Sequence, residues 1–245
     1  QDLCRDTVEN MSSFEQTVAV IILAGGYSRR MGQDKALLRL PDGRSLLAHT
    51  YQVAAEITPQ VVVVTPWPAR YREVLPSATT FITEPAAVPA ASLDESTTAG
   101  DSARQKPSRG PLHGFAYGWQ RIAADWCLLL ACDMPYLEPA ALRRWWTWLM
   151  AREEKPVPTA TETRPTASLV RTARGWQPLC GFYHRRGLPS LLHYQASQQC
   201  SFQPWLRTVP VLPYAELSPN LLFNCNTPDD WRHVVGSAYC KSCIF

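Results

Sequence analysis

The chain has 245 residues, of which 46% are hydrophobic, 18% charged and 10% aromatic, a composition that excludes wholesale disorder. The net charge of +3, from 24 basic and 21 acidic residues, is too balanced for a protein that binds nucleic acid through electrostatics. No apolar run approaches the ~18 residues of a membrane span, and the polar amino terminus lacks the apolar segment of a secretory leader. We therefore expect a cytoplasmic chain without nucleic-acid or membrane partners.

Predicted strands and helices alternate along most of the chain. Short apolar or β-branched runs predict strands at 17–24, 61–65, 79–83, 126–132, 166–171, 176–184 and 221–224. Helical periodicity and a proline at the first turn of the last segment predict helices at 45–57, 111–124, 139–152, 188–195, 202–208 and 228–235. This alternation predicts an α/β fold, a three-layer α/β/α arrangement with a mostly parallel sheet and helices on both faces.

The domain organisation follows from where this alternation stops. Residues 1–16 are polar and aperiodic and are predicted to form a flexible extension. Residues 17–236 are predicted to form one domain, interrupted at 84–109 by a long loop rich in Ala, Pro, Ser and Thr. Residues 237–245 would form a carboxyl-terminal tail.

The eight cysteines do not form a disulfide pattern. Cys127, Cys132, Cys180 and Cys225 lie in apolar segments, where a free thiol packs as a small hydrophobic group. The single C-x-x-C motif, at 240–243, has no second pair of ligands, so the sequence does not predict a zinc site.

A glycine-rich loop with the sequence Leu-Ala-Gly-Gly-Tyr-Ser-Arg-Arg-Met-Gly-Gln-Asp-Lys occupies 23–35, directly after the first strand. Its spacing matches neither a dinucleotide fingerprint, nor a Walker A loop, nor a nucleophile elbow. Glycines let backbone N–H groups approach phosphate oxygens, and the arginines and Lys35 supply positive charge. The loop therefore predicts nucleotide binding at the end of a parallel strand, and the alternative is a Gly-Gly turn with a solvated basic face.

Asp133 follows the most apolar strand. A carboxylate at the carboxyl end of a strand can hold Mg²⁺ together with phosphate oxygens of a substrate. The alternative is that Asp133 begins a turn before Pro135.

Four segments, in chain order, resemble motifs of the molybdenum cofactor guanylyltransferases. They are the loop at 23–35, Gly-Pro-Leu-His-Gly at 110–114, Cys-Asp-Met-Pro at 132–135 and Asn-Cys-Asn-Thr-Pro-Asp-Asp at 224–230. The resemblance implies a Rossmann-like nucleotidyltransferase fold and transfer of GMP from GTP to the terminal phosphate of molybdopterin or the molybdenum cofactor, with release of pyrophosphate. It further implies molybdoenzymes or their chaperones as partners.

The resemblance also implies a role for individual residues. Lys35, Arg30 and Asp133 would be catalytic, with Asp133 as the ligand of Mg²⁺. The residues that would bind nucleotide or pterin are Leu23, Ala24, Gly25, Gly26, Lys35, Thr65, Glu84, Gly110, Pro111, Asp133, Asn224 and Asn226.

Several positions keep an alternative interpretation. Thr65 and Glu84 stand where the family usually has Asn and Asp, which leaves recognition of the base open. The two asparagines of 224–230 would contact the pterin phosphate or cap the last helix. His113 is predicted to be an incidental loop residue, and the tryptophans of 145–148 are predicted to pack within the fold rather than to stack on a pterin.

The implied reaction needs no protein nucleophile, because the pterin phosphate would attack the α-phosphorus of GTP in line. One rival is a molybdopterin cytidylyltransferase or another sugar or cofactor nucleotidyltransferase, but those enzymes typically have L-A-A-G where this chain has L-A-G-G. A second rival is a non-catalytic protein that delivers the cofactor. The presence of Lys35 and Asp133 favours catalysis.

Overall fold

The computed structural model describes residues 18–26, 28, 31–85, 110–153, 163–197 and 199–241. The predicted extension at 1–16, Arg30 and most of the predicted loop at 84–109 lie outside these residues. One sheet contains the strands β1 (Val18–Leu23), β2 (Val61–Thr65), β3 (Thr80–Thr83), β4 (Trp126–Ala131), β5 (Ala167–Thr172), β6 (Gly175–His184) and β7 (Val211–Pro213). Their order across the sheet is β3-β2-β1-β4-β6-β5-β7.

The sheet is mostly parallel, as predicted. Strands β3, β2, β1 and β4 run parallel to one another, and β7 runs parallel to β5. Only β6 runs antiparallel to its neighbours β4 and β5, and it forms a hairpin with β5. Leu23 lies opposite Val64 and Ala131, so β1, β2 and β4 end at the same edge of the sheet.

Helices cover both faces of this sheet. They are α1 (Leu46–Ala55), α2 (Gly110–Trp119), α3 (Pro139–Glu153), α4 (Leu188–Ala196), α5 (Phe202–Leu206) and α6 (Pro228–Lys241). Short 3-10 helices occupy Lys35–Leu37, Pro68–Arg70, Arg185–Gly187 and Pro219–Leu222. Because strand side chains alternate between faces, Val20 and Ile22 pack with α1 and α3, whereas Ile21 packs with α2, α4 and α5. The three-layer α/β/α prediction is confirmed.

Other boundaries differ from the predictions. The predicted strand at 221–224 is wrong, because Pro219–Leu222 forms a 3-10 helix that begins at a proline and buries Leu222. The short edge strand β7 was not predicted, since three residues beside a proline carry too little periodicity. The last helix continues to Lys241, past the predicted start of the tail.

The tryptophans of α3 pack in the core, as predicted. Trp145 is fully buried, stacks on Tyr214 at 4.8 Å between ring centroids, and donates its indole N–H to Ser168 Oγ at 2.9 Å. Trp146 contacts the rings of Phe182 and Trp126. None of the described helices is long and apolar enough to cross a membrane.

Candidate active site

Three distant segments meet at the shared carboxyl edge of β1, β2 and β4. Lys35 Nζ donates to Asp133 Oδ2 at 2.5 Å and to Asn226 Oδ1 at 3.1 Å. Lys35 begins a 3-10 helix after the glycine-rich loop, Asp133 follows β4, and Asn226 precedes α6. We call these three residues the Lys35 cluster. The structure thus brings together one predicted residue from each of three motifs.

Charge within the Lys35 cluster is fixed by burial and pairing. The side chains of Lys35 and Asp133 are 19% and 8% exposed. Burial by itself lowers the pKa of Lys35, but the charge and hydrogen bond of Asp133 outweigh it and hold that pKa above its usual value. Lys35 is therefore a cation at neutral pH. It lies at the carboxyl edge of the sheet, where it can contact an anionic ligand.

Asp133 keeps one oxygen for a ligand. Its Oδ1 atom is buried and accepts no hydrogen bond in the described structure. A buried carboxylate oxygen without a donor is costly unless a ligand completes it, and Mg²⁺ prefers such oxygens. The described residues contain no group of three or more His, Cys, Asp or Glu side chains that could hold a metal. The arrangement therefore fits a divalent cation that takes its other oxygens from substrate phosphates and water.

Backbone hydrogen bonds hold Asp133 and Asn226 in place. The Asp133 carbonyl accepts from the Cys225 N–H at 2.9 Å, which joins the segment after β4 to the segment before α6. At the start of α6, Asp230 Oδ2 accepts from the N–H groups of Asn226 and Thr227, both at 2.9 Å, and Thr227 Oγ1 accepts from the Asp230 N–H at 3.2 Å. This reciprocal cap leaves the Asn226 side chain for Lys35.

The second asparagine of the motif has a local role. Asn224 Nδ2 donates to the Leu222 carbonyl at 3.1 Å. The capping role that the sequence left open for Asn224 and Asn226 is thus taken by Thr227.

Lys35 is also held through its backbone. Its N–H donates to Ser28 Oγ at 3.1 Å, and Ser28 has a φ of 46°, in the left-handed region. Asp34 Oδ1 accepts from the Ala36 N–H at 3.1 Å and caps the 3-10 helix that Lys35 begins. Asp34 Oδ2 accepts from the Tyr71 hydroxyl at 2.9 Å. The turn that carries Lys35 is therefore fixed at both ends.

The ends of β2 and β3 approach the glycine-rich loop beside the Lys35 cluster. A Cβ atom on Gly25 would lie 3.2 Å from Pro66 Cδ and 3.5 Å from Glu84 Oε2, so the backbone at this point comes as close as a glycine allows. Thr65 Oγ1 donates to the Ala24 carbonyl at 2.8 Å and accepts from the Trp67 N–H at 3.1 Å. Thr65 thereby joins β2 to the loop.

An open cavity of about 330 Å³ lies along the loop. It is lined by Gly26, Ser28, Gly32, Gln33, Asp34, Trp67 and Arg70. The Arg70 guanidinium stacks over the Trp67 ring at 4.3 Å and brings positive charge to the rim. The volume falls within the range of small-ligand pockets.

The remaining predicted residues divide into three groups. Leu23, Ala24 and Gly26 form the first part of the loop, with Ala24 N–H bonded to the Val64 carbonyl at 3.0 Å. Gly110 begins α2 with a φ of 73°, directly before Pro111. Arg30 lies outside the described residues.

Four residues in or beside the site are not predicted as site residues from the sequence: Ser28, Tyr71, Gly114 and Thr227. Gly114 lies in α2, and a Cβ there would be 3.2 Å from Glu84 Oε2. Gly114 and Thr227 belong to recognised motifs, whereas no local pattern marks Tyr71. His113 contacts Gln195 through its ring nitrogen, a link between α2 and α4.

Comparison with known proteins shows which proteins this chain resembles. The profile of the MobA-like NTP transferase domain matches residues 20–209. A probable molybdenum cofactor guanylyltransferase from Nostoc sp. is 38% identical, covering 89% of this chain and 91% of its own. Another, from Synechococcus elongatus, is 37% identical, covering 87% of this chain and 96% of its own.

Solved structures share the fold. Molybdopterin-guanine dinucleotide biosynthesis protein A from Archaeoglobus fulgidus superposes with a TM-score of 0.64 at 17% identity, over 91% of this chain and 99% of its own. Rv0371C from Mycobacterium tuberculosis, solved as a manganese complex, gives 0.59 at 17% identity, over 90% of this chain and 99% of its own. The length and identity of the sequence matches establish that this chain belongs to the MobA-like NTP transferase family, together with the molybdenum cofactor guanylyltransferases.

Proposed function

We propose that the chain transfers GMP from GTP to the terminal phosphate of molybdopterin or the molybdenum cofactor, and releases pyrophosphate. The observation that carries this proposal is the Lys35 cluster, in which a partly buried cation contacts a carboxylate that still has an oxygen without a donor. The names of the curated relatives support the same reaction. The cluster lies beside a loop whose glycines permit close approach of phosphate.

Lys35 and Asp133 have complementary roles in this proposal. Asp133 Oδ1 would hold a divalent cation, for which we propose Mg²⁺. When bound, that cation neutralises phosphate oxygens and polarises the reacting phosphorus. Lys35 stays charged and places its ammonium against the phosphates of GTP, while Asn226 and Asp133 keep the ammonium oriented.

The reaction is a single displacement at phosphorus. An oxygen of the pterin phosphate forms a bond to the α-phosphorus of GTP as the bond from that phosphorus to the bridging oxygen breaks. The electron pair leaves with pyrophosphate. The chain contributes position and charge, and a side-chain nucleophile is not required.

Glu84 is the group that we propose for recognition of guanine. Its carboxylate approaches both Gly25 and Gly114, next to the loop that would hold the nucleotide. Guanine presents adjacent N1–H and N2–H donors on one edge, and a carboxylate accepts from both. Thr65, in contrast, holds the loop against β2, because its hydroxyl hydrogen is used by the Ala24 carbonyl.

The test is release of pyrophosphate from GTP, CTP, ATP and UTP in the presence of molybdopterin, with Mg²⁺, with Mn²⁺ and with neither. We expect metal-dependent release from GTP and formation of the guanine dinucleotide. Preferred use of CTP would overturn guanylyl transfer. Binding of GTP and pterin without release would identify a delivery protein instead.

We also propose the cytoplasm as the compartment, because the four buried cysteines Cys127, Cys132, Cys180 and Cys225 are free thiols. That molybdoenzymes or their chaperones are partners of this chain remains a prediction.

A further inference from the structure

Tyr71 is the buried group behind the turn that carries Lys35. Its side chain is fully buried in the apolar cluster beneath α1 and α3, and its hydroxyl donates to Asp34 Oδ2 at 2.9 Å. Burial raises the pKa of Tyr71, and the neighbouring Asp34 carboxylate raises it further. The phenol therefore stays protonated and remains a donor.

Asp34 transmits this contact to Lys35. One carboxylate oxygen of Asp34 meets Tyr71, and the other caps the 3-10 helix at Ala36. Lys35 is the first residue of that helix and lies in the chain between Asp34 and Ala36. A displacement of Asp34 would therefore move the backbone from which the Lys35 ammonium reaches Asp133.

We propose that Tyr71 is a positioning residue for Lys35: its hydroxyl holds Asp34, and Asp34 fixes the turn that directs Lys35 to Asp133 and to the phosphates of the nucleotide. The part that concerns phosphate rests on the proposed function. The part that concerns Lys35 rests on hydrogen bonds within this chain.

Asp34 also lines the cavity along the loop. Without the Tyr71 hydroxyl, Asp34 Oδ1 would still accept from the Ala36 N–H, but Oδ2 would lose its donor and its negative charge beside the cavity would repel a triphosphate more strongly. Tyr71 thus favours binding of the triphosphate in a second way, because its hydroxyl keeps the Asp34 carboxylate hydrogen-bonded.

Tyr71→Phe tests the proposal with minimal change of shape. The first measurement is the NMR signal of the Lys35 side chain in protein labelled with ¹³C-lysine, which contains four lysines in all. Lys35→Ala assigns the signal by its disappearance. We expect Tyr71→Phe to shift the Lys35 signal without any nucleotide present.

The control is Ser168→Ala, which removes the partner of the Trp145 indole, a buried side-chain hydrogen bond outside the site. This variant should lower the melting temperature but leave the Lys35 signal in place. An unmoved Lys35 signal in folded Tyr71→Phe would overturn the proposal, whether or not the protein binds GTP.

The second measurement is GTP affinity with Mg²⁺, by titration calorimetry. We expect Tyr71→Phe to weaken binding about tenfold, on the scale of one hydrogen bond to a charged group. In the Lys35→Ala background the same change should cost much less, because the residue that Tyr71 positions is gone. An equal loss in both backgrounds would show that Tyr71 affects GTP binding independently of Lys35 and would overturn the proposal. If wild type binds no GTP, the proposed function fails, and the NMR result still decides the role of Tyr71.

Discussion

Ion pairs lie beyond both ends of β4, and their geometry differs. At the carboxyl end, Lys35 pairs with Asp133. At the amino end, beside Trp126, Arg186 donates to Glu153 Oε1 at 3.2 Å and to Oε2 at 2.8 Å, and Arg164 lies 3.4 Å from the same Oε2. Both carboxylates are shielded, with side chains 8% exposed at Asp133 and 13% at Glu153.

The difference between the two carboxylates is how many of their oxygens are used. Glu153 has both oxygens bonded, and Arg186 also donates to the Pro165 carbonyl at 2.8 Å. Asp133 has one oxygen bonded and one buried without a donor. The Glu153 pair, in which both carboxylate oxygens are bonded, joins α3 to the end of β6 and contributes stability. The Asp133 pair, in which one carboxylate oxygen has no donor, can still bind a ligand. We therefore predict that mutation of Asp133 lowers turnover with little change in stability. Mutation of Glu153 should lower stability with little change in turnover.

The largest effect is expected for Asp133→Asn. This change keeps the shape and a hydrogen-bond acceptor for Lys35 but removes the negative charge that a metal requires. Turnover with Mg²⁺ should fall on the order of 100-fold or more, with a nearly unchanged melting temperature. The measurement is pyrophosphate release, paired with a thermal melt.

The matched control is Asp125→Asn, the same change at the other end of β4, where the residue is exposed. It should leave turnover unchanged. Near-normal turnover of Asp133→Asn would remove Asp133 from the metal site.

Lys35→Ala is expected to weaken GTP binding by roughly 10- to 150-fold, because charge-assisted contacts to phosphate contribute roughly 1.5–3 kcal/mol. Calorimetric titration of GTP measures the loss. Arg143→Ala removes one positive charge from an exposed pair with Glu56 and should leave the affinity unchanged. Equal effects of the two variants would indicate a general charge effect rather than contact by Lys35.

At the amino end, Glu153→Gln should lower the melting temperature by roughly 3–12 °C and leave turnover unchanged. Hydrogen bonds between charged groups contribute roughly 1.5–3 kcal/mol, and each kcal/mol moves the melting temperature by about 2–4 °C in a domain of this size. Glu56→Gln is the control, since its exposed pair with Arg143 should contribute much less. A larger drop for Glu56→Gln would contradict the comparison.

The smallest effect concerns pH. Burial, and then the charge of Arg186, lower the pKa of His184 from 6.5 to about 4, while Glu153 and Asp125 act in the opposite direction. The unfolded chain therefore binds a proton at a higher pH than the folded chain, and stability should decrease as pH falls from 6.5 toward about 4. Because His184 is only half-buried, solvent screening reduces the effect.

Urea unfolding of wild type and His184→Gln at several pH values across this range measures the contribution of His184. The variant should lose less stability on acidification than wild type. Identical pH dependence of the two proteins would assign the acid sensitivity to other groups.

Much of the fold and part of the site are encoded locally. The apolar runs of β1, β2 and β4 predict buried strands, and the glycine-rich loop, Lys35 and Asp133 stand at the ends of those strands in the sequence itself. Local composition suffices here, because a short strand buried on both faces has to be continuously apolar and a phosphate loop requires glycine and positive charge. By contrast, β7 and the Pro219–Leu222 helix are too short for periodicity to distinguish helix from strand.

The tertiary structure alone decided how these pieces form a site. Lys35 meets Asp133 across 98 residues of chain and Asn226 across 191, and Tyr71 reaches Asp34 from the segment after β2. Such contacts depend on the strand order and on which face of the sheet each helix covers. Neither can be predicted from the local sequence around the contacting residues. The same applies to the unbonded oxygen of Asp133, because a carboxylate is satisfied or left open by partners that only folding brings to it.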